Sequence, residues 1–165
     1  MSQELQPTAS EYRQQRILNR DKLAELGFKP YGTAFARERL SDVRANFQEG
    51  VEVGAAGRLM TIRRMGKAVF ATFNDGSGAF QLFFKRDLLE ARLFEGIKYL
   101  DLGDVLGVSG RLFVTKMGEP TIEVHAWELL SKAVEQPPEK YHGLQDIEER
   151  YRKRYLDLMM SEESR

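Results

Sequence analysis

"VFATFNDGSGAFQLFF", residues 69–84, is the stretch on which the fold turns. Two short apolar runs flank Asp75-Gly76-Ser77-Gly78, and five phenylalanines lie within sixteen residues. A sheet with one face in the core and one in water needs apolar side chains on one side only. Here both sides carry rings. Side chains on a strand alternate between faces, and a Gly-containing loop of four joins two strands as a hairpin. If Asn74 opposes Ala79, then Phe73 opposes Phe80, Ala71 opposes Leu82 and Val69 opposes Phe84. Those six apolar residues make one consistent interior face. The opposite face pairs Thr72 with Gln81 and Phe70 with Phe83, so two aromatic rings and an amide point outward.

Outward from this hairpin, the period-two pattern continues in both directions. Val51, Val53, Ala55, Gly57 and Leu59 alternate with Glu52, Gly54, Ala56, Arg58 and Met60, which predicts a preceding strand that turns at Met65-Gly66-Lys67. Val105–Thr115 and Thr121–Leu130 predict a second hairpin across Lys116-Met117-Gly118-Glu119. Between the hairpins, Asp87 is expected to open a helix carrying Leu88, Leu89, Leu93, Phe94 and Ile97. Strand, strand, strand, helix, strand, strand is the order of the OB-fold, a five-stranded Greek-key barrel. Glycines 54, 57, 107 and 110 fall where a small barrel is expected to bend. A two-sheet sandwich is the alternative, but it does not accommodate five strands around one inserted helix.

The flanks read as helical. Residues 1–9 are polar and expected to be disordered. Ser10 is the expected N-cap of a helix with Tyr12, Ile17, Leu18, Leu23 and Leu26 on one side, stopped by Gly27 and Pro30. That stripe is expected to pack on the barrel or on a second copy. A short helix from Ser41 presents Val43 and Phe47. After a Gln136-Pro137-Pro138 linker, Leu144, Ile147, Tyr151, Tyr155 and Leu158 predict an amphipathic helix beginning near Gln145, opposite a face of Glu and Arg. The expected organisation is a tail and helical segment over 1–50, the barrel over 51–133, and a linker with its helix over 134–165.

Several functions are excluded or confined by the totals. The chain carries 25 basic and 25 acidic side chains, so nucleic-acid binding would rest on local asymmetry rather than a basic coat. One asymmetry exists: Arg58, Arg63, Arg64 and Lys67 lie in the acid-free stretch from Val53 to Asn74. No cysteine is present, which rules out disulfides and thiolate sites and fits a cytoplasmic chain. No apolar run approaches a membrane span, and the N-terminus lacks a signal-type apolar region. His125, on a strand, and His142, in the linker, are too few for a zinc site. Asp75-Gly76-Ser77-Gly78 lacks the lysine and following helix of a phosphate loop and reads as a turn. No metal or cofactor is expected in this chain.

The outward face can do chemistry of a different kind. A base stacked on an exposed ring gains about 1–3 kcal/mol, an amide reads a splayed base edge, and Arg or Lys holds phosphate. Phe70, Phe83, Gln81, Arg63 and Lys67 supply that set. OB-folds commonly bind oligonucleotides on this face. Two competing readings are a protein-interaction or dimerisation module, and a sequence-neutral single-strand binder.

Three stretches carry a resemblance to a family. "VGAAGRLMTIRRMGKAVFATFNDGSGAFQLFF" (53–84) and "DLGDVLGVSGRLFVTKMGEPTIEVHAWELLSKA" (101–133) resemble the anticodon-binding barrel of bacterial-type class II lysyl-tRNA synthetases. "KYHGLQDIEERYRKRYLDLM" (140–159) resembles that family's link into its catalytic domain. The resemblance implies that the barrel grips the U-rich anticodon of lysine tRNA. Phe70 matches the aromatic that stacks on an anticodon base, Gln81 the polar residue that reads a base edge, Arg63 a basic contact, and Glu119 a carboxylate that meets a base. A carboxylate repels phosphate, so Glu119 is expected to accept a hydrogen bond from the base itself. The family's catalytic domain would begin where this chain ends. The resemblance therefore implies an N-terminal portion that binds tRNA but attaches no lysine, with ATP and Mg2+ belonging only to the parent enzyme. The parent's catalytic domain and a homodimer mate are the other expected partners.

Overall fold

The computed structural model describes residues 7–32, 34–138, 144, 146–161 and 164. The expectations for residues 1–6, His142 and Gln145 lie outside the described residues.

Five strands form a closed barrel: β1 (Glu52–Met65), β2 (Ala68–Asn74), β3 (Ala79–Lys85), β4 (Val105–Val114) and β5 (Pro120–Ser131). Their order around the barrel is β1-β2-β3-β5-β4, as in the OB-fold. Neighbours pair antiparallel except β3 and β5, whose short parallel pairing over Gln81–Phe83 closes the ring. The first half of β1 pairs with β4 and the second half with β2, with a register shift between Leu59 and Thr61 where the strand changes partner. The central hairpin has the expected register, with Asn74 opposite Ala79, Phe73 opposite Phe80, Val69 opposite Phe84 and Phe70 opposite Phe83. Inside the barrel Phe73, Phe80, Phe84 and Leu82 are fully buried, joined by Leu59, Leu106, Val108, Ile122 and Val124. The excess of rings is thereby divided, three inside and two outside.

The glycines act through close approach more than through bending. A Cβ on Gly110 would stand 2.0 Å from the Glu123 carbonyl oxygen, beside the β4–β5 register shift after Ser109. One on Gly107 would strike the Phe35 ring at 2.6 Å.

The connecting helices differ from expectation in instructive ways. Helix α1 is Ala9–Glu25, capped by Thr8 rather than Ser10. Thr8 Oγ1 accepts from the Glu11 N–H, while the Glu11 carboxylate accepts from the Thr8 N–H; this reciprocal box outcompetes a serine two residues further on. Gly27, at φ +84°, ends α1 as expected. Leu23 is buried in the core and Leu26 packs against it, but Leu18 is exposed, and polar arms also tie α1 to the barrel. Buried Arg16 donates to the Leu102 and Ala133 carbonyls, and Asn19 donates to Asp101. The segment expected as one helix from Asp87 is a 3₁₀ turn (Arg86–Leu88), a short helix α3 (Ala91–Gly96) and a second 3₁₀ turn (Ile97–Tyr99). Leu89, Leu93, Phe94 and Ile97 are buried in it, but Leu88 is exposed. Phe28 stacks on Trp127 at 4.4 Å, and the Trp127 indole donates to the Leu93 carbonyl, fixing α3 beneath the barrel.

Beneath α1 lies a buried ionic clasp. The Lys132 ammonium donates to Asp101 (2.6 Å) and to both oxygens of Asp104 (2.8 Å), with no side-chain exposure on Lys132 or Asp104. Burial pushes the Asp104 carboxyl above its ordinary value, against the pull of Lys132 and of the Asp101 and Ala133 N–H groups. The C-terminal stripe forms two helices, α4 (Ile147–Arg152) and α5 (Arg154–Met160), because the chain leaves helical geometry at Lys153 (φ −115°, ψ 47°). Ile147, Tyr151 and Tyr155 are exposed. Among the described residues no helix is long and apolar enough to cross a membrane.

Candidate nucleic-acid interface

The strand register assembles the outer face in rows. One row runs Arg63 (β1), Phe70 (β2), Phe83 (β3), Glu123 (β5), Arg111 (β4). The next runs Thr61, Thr72, Gln81, Thr121, Phe113. Alternation alone puts these side chains opposite the core, and Phe70, Phe83, Gln81 and Phe113 are all partly exposed.

The aromatic surface is continuous. Phe70 and Phe83 have centroids 4.8 Å apart, and Phe83 and Phe113 5.8 Å apart. The Arg63 guanidinium lies 5.9 Å from the Phe70 centroid, at the margin of a cation–π contact. Arg63 is otherwise exposed. Gln81 is positioned rather than loose: its Nε2 donates to Thr121 Oγ1 (3.1 Å), which donates to the Glu119 carbonyl (3.0 Å). This relay spends one donor of the amide and leaves its carbonyl oxygen as an acceptor. It also ties Gln81 to the β4–β5 turn that carries Glu119. In that turn Gly118 takes φ +86°, and the Glu119 N–H donates to Thr115 Oγ1.

The basic stretch divides into structural and surface halves. Arg58 donates to the Gly103 carbonyl, and Arg64 to the Ile97 and Leu100 carbonyls at the end of the helical segment. Those two guanidiniums are tied to the segment between β3 and β4. Arg63 and Lys67 are left exposed on the outer side, Lys67 in the β1–β2 turn, three residues or roughly 10 Å along the strand from Phe70.

Two residues of this face were missed by sequence reasoning. Phe113 was legible: Leu112 is buried, so its neighbour must face out. Arg44 was not. It sits on helix α2 (Leu40–Ala45), where it donates to the Ala79 carbonyl (3.0 Å), lies 5.0 Å over the Phe80 ring and stands 3.9 Å from the Glu119 carboxylate. Nothing local in the sequence announces where α2 docks.

That docking is the work of the 75–78 loop. Asp75 accepts from the Ser77 hydroxyl (2.6 Å), the Ser77 N–H (2.8 Å), the Leu40 N–H (3.0 Å) and the Gly78 N–H (3.3 Å). Ser77 Oγ in turn accepts from the Ser41 N–H (3.1 Å). The loop therefore caps the N-terminus of a helix too short to be stable alone. Burial pushes the Asp75 carboxyl up, but the hydrogen bonds from Ser77, Leu40 and Gly78 outweigh it and hold it below its ordinary value.

A cleft of about 520 Å³ lies elsewhere, between the barrel and α5, lined by Phe35, Arg37, Asp75, Tyr155 and Leu158. It shares no residue with the aromatic face. Among the described residues no three His, Asp or Glu side chains converge as metal ligands.

Comparison with known proteins bears on this face. Residues 53–130 match the tRNA anti-codon family model, an OB-fold nucleic acid binding domain. The chain is 44% identical over 160 residues to a lysine–tRNA ligase of Magnetococcus marinus, covering 91% of this chain and 32% of that protein. It is 45% identical over 162 residues to the lysine–tRNA ligase of Pasteurella multocida, covering 90% and 32%. With that of Bacillus subtilis it shares 39% over 178 residues, covering 100% and 36%. The chain thus spans about a third of the length of the curated relatives it matches.

Proposed function

We propose that the outer face of the barrel, whose residues 53–130 match the OB-fold nucleic acid binding model, grips the U-rich anticodon loop of lysine tRNA. Phe70 is the stacking platform, with Phe83 extending it. Gln81 and Glu119 read base edges. Arg63 and Lys67 hold the phosphates on one flank. The observation that carries this reading is the Phe70–Phe83 pair, 4.8 Å apart on the solvent side, with a cation at one end and a positioned amide beside it. In a longer parent, lysine attachment with ATP and Mg2+ would fall to the part of the relatives that this chain does not span. The present residues would then supply tRNA selection in the cytoplasm.

The test is a titration of a labelled lysine anticodon stem-loop against wild type and Phe70→Ala. Removing one stacked base should cost about 1–3 kcal/mol, roughly 5- to 150-fold in Kd. Equal affinities for the two proteins would remove the stacking role. Equal affinities of wild type for matched and scrambled loops would favour sequence-neutral binding instead. A protein-docking reading is favoured by one observation, the exposed Ile147, Tyr151 and Tyr155 on α4 and α5. It predicts a dimer in sedimentation that is indifferent to RNA.

A further inference from the structure

On the reading of the barrel as an anticodon-loop binder, we infer that Arg44 is a third RNA-contacting cation, which holds the phosphate beside the base that Glu119 reads.

Three features converge on Arg44. It is anchored: one Nη2–H bond to the Ala79 carbonyl at 3.0 Å and the Phe80 ring 5.0 Å beneath the guanidinium set its position. It is unsaturated: a guanidinium has five N–H donors, and one is spent on Ala79. It is half exposed, with 49% of its side chain open to solvent. Its place on the face follows from the register. Its bond to the Ala79 carbonyl and its approach to Glu119 put Arg44 at the rim by the Ala79 end of β3, while Arg63 opposes Phe70 at the Phe83 end. Those ends are four residues apart, about 13 Å along the strand. The aromatic pair and the reading amide therefore lie between two cations, as a strand tracking the face requires.

The partnership with Glu119 sharpens the case. Their closest approach is 3.9 Å, which is an ion pair but too long for a direct hydrogen bond. The carboxylate oxygens stay available to a base N–H donor, and the guanidinium cancels the charge that would repel the adjoining phosphate. A lone Glu119 on an RNA face is electrostatically unfavourable. Glu119 beside Arg44 is a neutral unit with one group for the base and one for the backbone. Helix α2 is otherwise unremarkable, and its capping by the Asp75–Ser77 loop gives Arg44 a fixed root on the barrel rim.

Salt dependence tests this, because a merely structural arginine changes affinity without changing the number of ions released. Each phosphate contact with a single strand contributes about −0.7 to the slope of log K against log salt. Arg44 with Arg63 and Lys67 gives about −2.1, an affinity loss near 18-fold between roughly 50 and 200 mM salt. Arg44→Gln should lower the slope to about −1.4, a loss near 7-fold over the same range. Arg44→Lys keeps the charge and should retain the wild-type slope. An Arg44→Gln slope equal to wild type overturns the inference, whatever its affinity at one salt concentration. Failure of wild type itself to bind the stem-loop overturns the anticodon reading along with it, so the two outcomes are distinguishable.

Discussion

Replacing Asp75 by alanine should unfasten α2 from the barrel. The carboxylate is almost fully enclosed, with 2% side-chain exposure, and gathers the Leu40, Ser77 and Gly78 N–H groups and the Ser77 hydroxyl. A hydrogen bond to a charged group contributes about 1.5–3 kcal/mol, and a buried donor stripped of its partner costs about 1–3. Three of the four donors belong to the half-buried Ser77 and Gly78, which water can reach once the side chain is gone. The net loss is then about 2–4 kcal/mol, the equivalent of one to two such bonds. For a chain of this size that lowers Tm by roughly 4–16 °C. The pH dependence has a definite sign. The folded Asp75 pKa is depressed, so its contribution is complete above the unfolded value of about 3.9 and is lost as pH falls through the lower folded value. Urea unfolding of wild type and Asp75→Ala should therefore differ fully at pH 7 and converge only as the pH falls below the ordinary carboxylate range. A variant that melts within a degree of wild type at pH 7, or a gap that persists unchanged into acid, would refute the capping role.

Two further outcomes follow from the core and the outer face. Lys132→Met strands the fully enclosed Asp104 without its counter-charge and should cost about 3–5 kcal/mol in urea unfolding, while Lys132→Met with Asp104→Leu should recover most of it; a single variant as stable as wild type would contradict the clasp. Phe113→Ala should weaken stem-loop binding by about 0.5–1.5 kcal/mol, roughly 2- to 13-fold and less than Phe70→Ala, because Phe113 extends the stack through Phe83; an effect exceeding that of Phe70→Ala would reverse the assignment of the primary platform.

The parts of this molecule legible in the sequence are those fixed by short-range geometry. A four-residue loop between two apolar runs sets the 74–79 register, and that register fixes which five phenylalanines go where. Gly27 ends α1 because only glycine accepts its left-handed backbone cheaply. What failed did so where several local structures satisfy the same pattern. The apolar spacing from 88 to 97 suits a helix, yet it also suits a 3₁₀ turn, a break and a shorter helix, and only burial against Phe28 and Trp127 decides. The break at Lys153 has no Gly or Pro to mark it. The basic run from 58 to 67 reads as one patch in sequence. Arg58 and Arg64 find carbonyls more than thirty residues away, which no window on the sequence can reveal.

That last division has a consequence for recognition. A face with four available arginines and lysines would bind any single strand through its phosphates, and base contacts would add little to the choice between sequences. Folding consumes two of the four on the segment between β3 and β4 and places a carboxylate at the far end of the face. Glu123 in the aromatic row is likewise matched, by Arg111 at 3.1 Å and His125 at 3.3 Å. The surface left keeps Arg63 and Lys67 as exposed cations beside three aromatic rings and one fixed amide. Backbone attraction is held low there, so stacking and edge contacts make up a larger fraction of the binding free energy. On the anticodon-loop reading, a chain with 25 charges of each sign would in this way discriminate among loops that a basic one would bind alike.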